Sequence, residues 1–497
     1  MISISINYFF RLIKFIFADY FNKFLLEKNI NIIYNVAFNR NKKILKILIK
    51  KLKKLFKELL IMEKFFKLKE NGTNIKTEVI AGFTTFMTIA YILAVNPSIL
   101  GATGMDKGAL FTATVISSLI ATLIMALLAN LPFALAPGMG LNAFFAYTVV
   151  IGMGHSWQTA LTAVFIEGII FIALTAFNVR EAIVNSIPLN MKRAISVGIG
   201  LFIAFIGLQN AQIITNNDAT LVGLGNITSG SGLLAIIGIV IISVLLSYNV
   251  KGAILIGILI TSAIGIPMGI TKFSPHGSFI PPSLEPIAFK FDFTNIFSPN
   301  MIIVIFTFLF VDIFDTVGTL VGVCTKANML TKNGEVPRCK QALFADSIGT
   351  VVGACLGTST VTTFVESASG VAEGGKTGLT SLVVSILLFI SLFLSHIFLS
   401  IPSAATAPAL IIVGLFMMTP ILEINFEDYT ESIPAFICII FMPFAYSIAE
   451  GITFGVLSFT LLKLISGKVK EISVFTWILS AFLLLKILMP LIQKMVN

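Results

Sequence analysis

The stretch Gly357-Thr-Ser-Thr-Val-Thr-Thr-Phe-Val-Glu366-Ser-Ala-Ser-Gly-Val-Ala-Glu373-Gly-Gly375 decides how the chain is read. It lies between apolar runs long enough for membrane helices, yet it carries an acid and is dense in small and β-branched residues. A carboxylate at bilayer depth costs at least about 2.5 kcal/mol on insertion scales, so Glu366 is a functional-site candidate. The Ser-Thr-Val-Thr-Thr run favours extended backbone, and the glycines at its end permit close packing or a helix break. Non-helical backbone at that depth persists only when buried in protein or lining a cavity. An acid beside a broken helix is the pattern of a transporter binding site.

The rest of the chain agrees. Of 497 residues, 57% are hydrophobic and 12% charged, and mean hydropathy is +0.98. A soluble domain carries roughly twice that charge. The apolar runs are continuous, not alternating, which excludes a β-barrel and predicts a polytopic α-helical membrane protein. Cys324, Cys339, Cys355 and Cys438 show no metal spacing, and His155, His276 and His396 are far apart. No metal, cofactor, nucleotide loop or nucleic-acid partner is therefore expected.

The net charge of +10 belongs to one region. Residues 1–61 hold 13 Lys/Arg and 3 Asp/Glu, whereas the remainder holds 21 of each. That extension is almost wholly Ile, Lys, Asn, Phe, Leu and Tyr, and Met62 makes an ordinary cytoplasmic start for 62–77. The extension reads as a spurious upstream reading or as an interfacial anchor, with Lys between apolar residues from Lys42 to Lys57.

From residue 78 onward, fourteen apolar windows follow, and a fifteenth spans 473–494. Two are short, 138–150 and 361–372, and occupy third place in each group of seven. Short interrupted segments at matching places point to a site between inverted repeats. The halves match faintly elsewhere: Thr85-Phe-Met-Thr-Ile-Ala-Tyr with Thr307-Phe-Leu-Phe-Val-Asp-Ile, and Tyr248-Asn-Val-Lys-Gly with Tyr446-Ser-Ile-Ala-Glu-Gly. Seven helices per repeat force inverted topology. With the N-terminus inside, the cytoplasmic turns hold Arg180, Lys192, Arg193, Lys251, Lys326, Lys332, Arg338, Lys340, Lys376, Lys468 and Lys470. The external stretch 209–230 holds no Lys or Arg, although 268–300 holds Lys272 and Lys290. That asymmetry fits the positive-inside rule.

Two further polar clusters stand out. Asp312 and Asp315 sit at i and i+3 in the eighth window, on one helix face. Asp315 is also readable as a solvated charge near the cytoplasmic end. The second cluster is Ala136-Pro-Gly138-Met-Gly140-Leu-Asn142, where Pro137 breaks backbone pairing and Asn142 offers donors and an acceptor. Its glycines serve equally well for helix packing. Glu167 reads as a packing acid or a proton-coupling acid, Glu373 as a rim charge close to Lys376, and Glu450 as exposed at a turn. Paired acids and broken-helix amides suit a flat neutral ligand with adjacent N–H groups, such as a nucleobase, and repel an anion.

These clusters resemble the xanthine/uracil permeases of the nucleobase transporter superfamily, specifically its azaguanine-type branch of hypoxanthine, guanine and adenine permeases. The likeness runs from about Asn71 to Lys470, through Ala81-Gly-Phe-Thr-Thr-Phe-Met-Thr-Ile-Ala-Tyr, Ala136-Pro-Gly-Met-Gly-Leu-Asn-Ala, Asp312-Ile-Phe-Asp-Thr-Val-Gly-Thr and Glu366-Ser-Ala-Ser-Gly. The resemblance implies fourteen transmembrane segments as two inverted seven-segment repeats, with short antiparallel strands in segments three and ten. It implies a core domain (78–177 and 301–399) and a gate domain (178–300 and 400–470), while the fifteenth apolar window reads as a C-terminal helix within 471–497. It implies that Glu366 and Asp312 bind a purine base, that Asn142, Gly138, Gly140 and Thr363 line the site, and that Asp315 assists. A proton as coupling ion, a lipid bilayer around the chain and a homodimer complete the expectation. A same-fold anion carrier and an intramembrane aspartic protease are the rivals.

Overall fold

The computed structural model describes residues 62–177, 188–272, 279–294, 296–326, 329–330 and 336–496. The extension 1–61, Arg180, His276 and Lys332 lie outside them. The chain forms two compact units, Met1–Glu78 and Val79–Asn497. In the first, residues 62–66 are helical, and Lys69 pairs with Glu63 at 2.9 Å.

From Ile75 onward the described chain is mostly helical and meets the predicted windows one for one. Segment one is α1 (Ile75–Ile89) and α2 (Ile92–Leu100), segment two is α3 (Lys107–Ile124), and segment three is β1 (Leu135–Pro137) followed by α4 (Met139–Ala143). α4 continues as a wide-turned π-helix, Phe144–Gly152. Segments four and five are α5 (Trp157–Ala176) and α6 (Leu189–Asn210). A hairpin of β2 (Ile214–Asn217) and β3 (Leu221–Leu224) precedes α7 (Gly230–Ser247) and α8 (Ala253–Gly265). The second group runs α9 (Pro299–Lys326), α10 (Cys339–Leu356), β4 (Val361–Thr363) with α11 (Ser367–Ala372), then α12 (Gly378–Ser391), α13 (Ser403–Met417), α14 (Tyr429–Phe444) and α15 (Ile448–Ile465). The fifteenth window is α16 (Val474–Val496). Among the described residues, nine helices are long and apolar enough to cross a membrane.

Local chemistry sets these boundaries. Asp106, Ser156 and Ser447 accept the first free amides of α3, α5 and α15, at 2.7, 3.1 and 3.3 Å. Asp428 caps α14, and the Lys468 ammonium beside it holds its carboxyl well below the usual carboxylate range. Segment one differs from the expected single helix: it is interrupted at Ala90 and Tyr91, and Pro97, nearly two turns further on, removes one more amide from the ladder.

The two short strands pair with each other, antiparallel, in the register Leu135↔Thr363, Ala136↔Thr362, Pro137↔Val361. Each is launched the same way. α3 and its π-turn end at Asn130, and α10 ends at Gly357, both in the left-handed region at φ +50° and +98°. A Cβ on Gly357 would stand 2.6 Å from Ile287, so this position requires glycine twice over.

An unpaired strand edge inside a bilayer is costly. Here each outer edge is closed by one threonine hydroxyl from the preceding helix. Thr122 of α3 bonds both the amide and the carbonyl of Leu135, at 2.9 and 3.1 Å. Thr350 of α10 does the same for Val361, at 3.2 and 3.0 Å. The two helices approach so closely that a Cβ on Gly349 would lie 2.7 Å from the Ala121 side chain.

Candidate substrate site

Glu366 stands where β4 gives way to α11, at the head of that short helix. Its carboxylate accepts a hydrogen bond from the Tyr91 hydroxyl at 2.6 Å, and Thr88 donates to its carbonyl at 3.3 Å. Tyr91 sits at the interruption of segment one. A cavity of ≈ 320 Å³ opens beside Glu366, lined on one side by Thr88 and Ser369 and on the other by Asn249, Lys251 and Phe416. That volume falls at the small end of ligand pockets.

The other expected site residues gather unevenly around this centre. Asp315 is an electrostatic neighbour of Glu366 and Tyr91. Its Oδ2 stands 3.7 Å from where a Cβ on Gly138 would be, an ordinary contact distance, and the Thr362 methyl is nearer at 2.6 Å. Asp312, one helical turn earlier, is fully enclosed by protein. Asp315 thus lies near both Gly138 and Glu366. Asn142 is also enclosed: its amide donates to the Pro137 carbonyl at 3.3 Å and accepts from the Ser359 hydroxyl. It ties the two broken segments together. Gly140 faces the other way, and a Cβ there would meet Ile199 of α6 at 2.6 Å. Thr363 donates to Asp346 at 3.4 Å.

Three remaining acids are resolved as well. Glu167 is buried and accepts from Thr360 at 3.4 Å, directly behind β4. Glu373 is a rim charge as expected, but it pairs with Lys251, across the cavity mouth. The turn after α7 carries Lys251 to it. Asn249 and Gly252, at φ +53° and +74°, make this turn tight enough for Gly252 to approach the Met87 carbonyl. Glu450 lies in the first turn of α15 and is half-buried instead of exposed.

Sequence reading did not single out Tyr91 or Asp346. A tyrosine in an apolar helix reads as packing. Asp346 carries the signal that marks Glu366, an acid within an apolar run, but no helix break accompanies it.

The model of the Permease family (Xan_ur_permease) matches residues 76–454. The chain belongs to this family. Among similar proteins, a putative permease of Methanocaldococcus jannaschii is 50% identical to this permease, with 86% of this chain and 98% of that one covered. The adenine permease AdeP of Escherichia coli is 45% identical, with 86% and 96% covered, and the guanine/hypoxanthine permease PbuG of Bacillus subtilis is 44% identical, with 83% and 96% covered. Among solved structures, the transmembrane domain of the cyanobacterial bicarbonate transporter BicA superposes with a TM-score of 0.60 at 16% identity, covering 75% of this chain and 96% of that one. The murine solute carrier 26 family member A9 anion transporter gives 0.58 at 14% identity, with 79% and 68% covered. At such identities these two attest the fold alone, which is the inverted-repeat architecture the short segments predict. Family membership makes the chain a multi-pass membrane permease and sets aside the protease alternative.

Proposed function

We propose that this permease imports purine nucleobases together with protons, by alternating access of a core (segments 1–4 and 8–11) against a gate (segments 5–7 and 12–14). The observation that carries the reading is the Glu366 carboxylate, held at one oxygen by Tyr91 beside a cavity. A carboxylate there can accept adjacent N–H groups on a purine edge, and Asp315 adds a second acceptor nearby. Two neighbouring acids disfavour an anionic substrate, and either acid is a group on which a proton can travel. The relatives named for adenine and for guanine and hypoxanthine support a purine.

Alternating access draws support from a pair of related turns. The turn after α7 meets the end of α11 through the Lys251–Glu373 ion pair. Its counterpart in the other repeat, at Tyr446, meets segment three through the Tyr147 ring, 6.1 Å away, and segment five through the Phe202 ring, 5.4 Å away. Thr148 adds a bond to the Tyr446 carbonyl at 3.5 Å. The cavity lies on the ionic side, and aromatic rings pack on the other. In this reading the Lys251 turn and the N-terminus face the cytoplasm.

Uptake of labelled hypoxanthine into cells lacking their own purine permeases tests the proposal. Concentrative uptake that collapses with a protonophore is expected. No uptake of any purine would sink the substrate assignment, and accumulation that survives the protonophore would sink proton coupling.

A further inference from the structure

Asp346 lies in the middle of α10, and its side chain is fully enclosed. Its Oδ1 accepts hydrogen bonds from the Thr316 hydroxyl at 2.9 Å and the Thr363 hydroxyl at 3.4 Å. Thr316 follows Asp315 directly, and Thr363 precedes Glu366 by three residues. One buried carboxylate therefore grips both elements that carry an acid of the candidate site, each within a turn of that acid.

The grip extends further. The Thr316 and Thr362 hydroxyls are 2.7 Å apart. Because Thr316 gives its one proton to Asp346, Thr362 is the donor in that pair. The Thr362 methyl in turn bears on Gly138, whose Cβ would lie 2.6 Å from it. A continuous set of contacts runs from Asp346 through α9 and β4 to the break in segment three.

A neutral acceptor such as asparagine fits the same hydroxyls without the cost of an intramembrane acid, about 2.5–3.5 kcal/mol. A carboxylate differs in two respects. It makes hydrogen bonds roughly twice as strong as neutral ones, and as a pure acceptor it forbids the hydroxyls to turn around. We propose that Asp346 is a positioning residue of the substrate site: it fixes α9 against β4, and so sets the spacing of Asp315 and Glu366, without touching the substrate. This inference rests on the purine site proposed at Glu366.

The test uses the full chain carrying Asp346→Asn or Asp346→Ala in cells lacking their own purine permeases. Hypoxanthine uptake is measured across a concentration series, with the amount of protein at the membrane quantified, alongside exchange in preloaded cells without a proton gradient. Asp346→Ala is expected to raise KM about tenfold, the size of one lost hydrogen bond to a charged group, while uptake per molecule at saturation is largely kept. Asp346→Asn falls between, rescued in part by its remaining acceptor. An unchanged KM with loss of protein or of saturating rate would overturn the proposal in favour of a purely structural acid. Loss of concentrative uptake in Asp346→Asn with exchange intact would overturn it in favour of a proton carrier. Where Asp346→Ala does not fold, Thr316→Val keeps the acid and removes one donor, and it carries the same expectation in smaller size. Glu366→Ala in parallel separates the two readings: uptake indifferent to it refutes the purine site itself and not the role of Asp346.

Discussion

Segments three and ten occupy matching places in the two repeats, and both begin as a three-residue strand that hands over to a short helix. Their shared architecture is close: a left-handed residue launches each strand, and one threonine from the preceding helix closes each outer edge. Their chemistry diverges at the handover. Segment ten places Glu366 there, beside the cavity, whereas segment three places Gly138 and spends Asn142 on Pro137 and Ser359. The repeat thus supplies one scaffold twice and a charged group once. A symmetric scaffold with an asymmetric charge gives one binding face instead of two half-sites competing for the same ligand.

Replacing Glu366 removes the charged half of the comparison and carries the largest effect. Glu366→Ala should lower purine uptake efficiency by about a hundredfold or more at an unchanged amount of protein, since two ligand N–H groups each lose a charged acceptor. Normal uptake by that variant would break the assignment of roles. Next in size is the group that aims the acid. Tyr91→Phe deletes the hydroxyl donor to the carboxylate, worth about 1.5–3 kcal/mol, and a KM raised on the order of tenfold is expected from initial-rate uptake. A KM equal to the parent's would show that Glu366 is aimed without Tyr91. The smallest change in transport belongs to segment three. Asn142→Ala leaves a buried hydroxyl and carbonyl without their tie, a loss of about 1–3 kcal/mol that thermal unfolding in detergent should register. Its KM should stay within about threefold of the parent's, as the lost bonds are internal to the protein. A selective rise in KM without a drop in melting temperature would move Asn142 from tie to ligand.

Much of this architecture is legible in the sequence, because the bilayer leaves few choices. Continuous apolar runs of spanning length can only be helices there, and Pro137 or a Thr-rich run at that depth must be sheltered in protein. The acid at Glu366 stands out for the same reason. What stays hidden is whatever depends on direction. Thr122 and Thr350 look like any helix-borne threonine, which commonly bonds its own helix four residues back, as Thr114 does to Leu110 at 2.6 Å. Only the fold reveals that two of them reach sideways to seal strands. Asp312 and Asp315 share a helix face by spacing alone, so the sequence cannot rank them. The fold separates their surroundings: Asp312 is fully enclosed, whereas Asp315 lies near Gly138 and Glu366. The salt partner of Glu373 is likewise a matter of which turn arrives, and Lys251 is remote in sequence although adjacent in space.

The pairing of Leu135 with Thr363 also has a consequence for how the permease is made. The inner edge of β1 cannot be satisfied in lipid until β4 has been synthesised and inserted. At roughly 5–20 residues per second, that delay is on the order of ten seconds or more. During it, the first repeat carries open backbone that water, a chaperone or the insertion machinery must cover. Neither repeat is a self-sufficient module, whatever its ancestry. A chain interrupted between them would leave two fragments whose maturation depends on meeting each other before quality control meets either one.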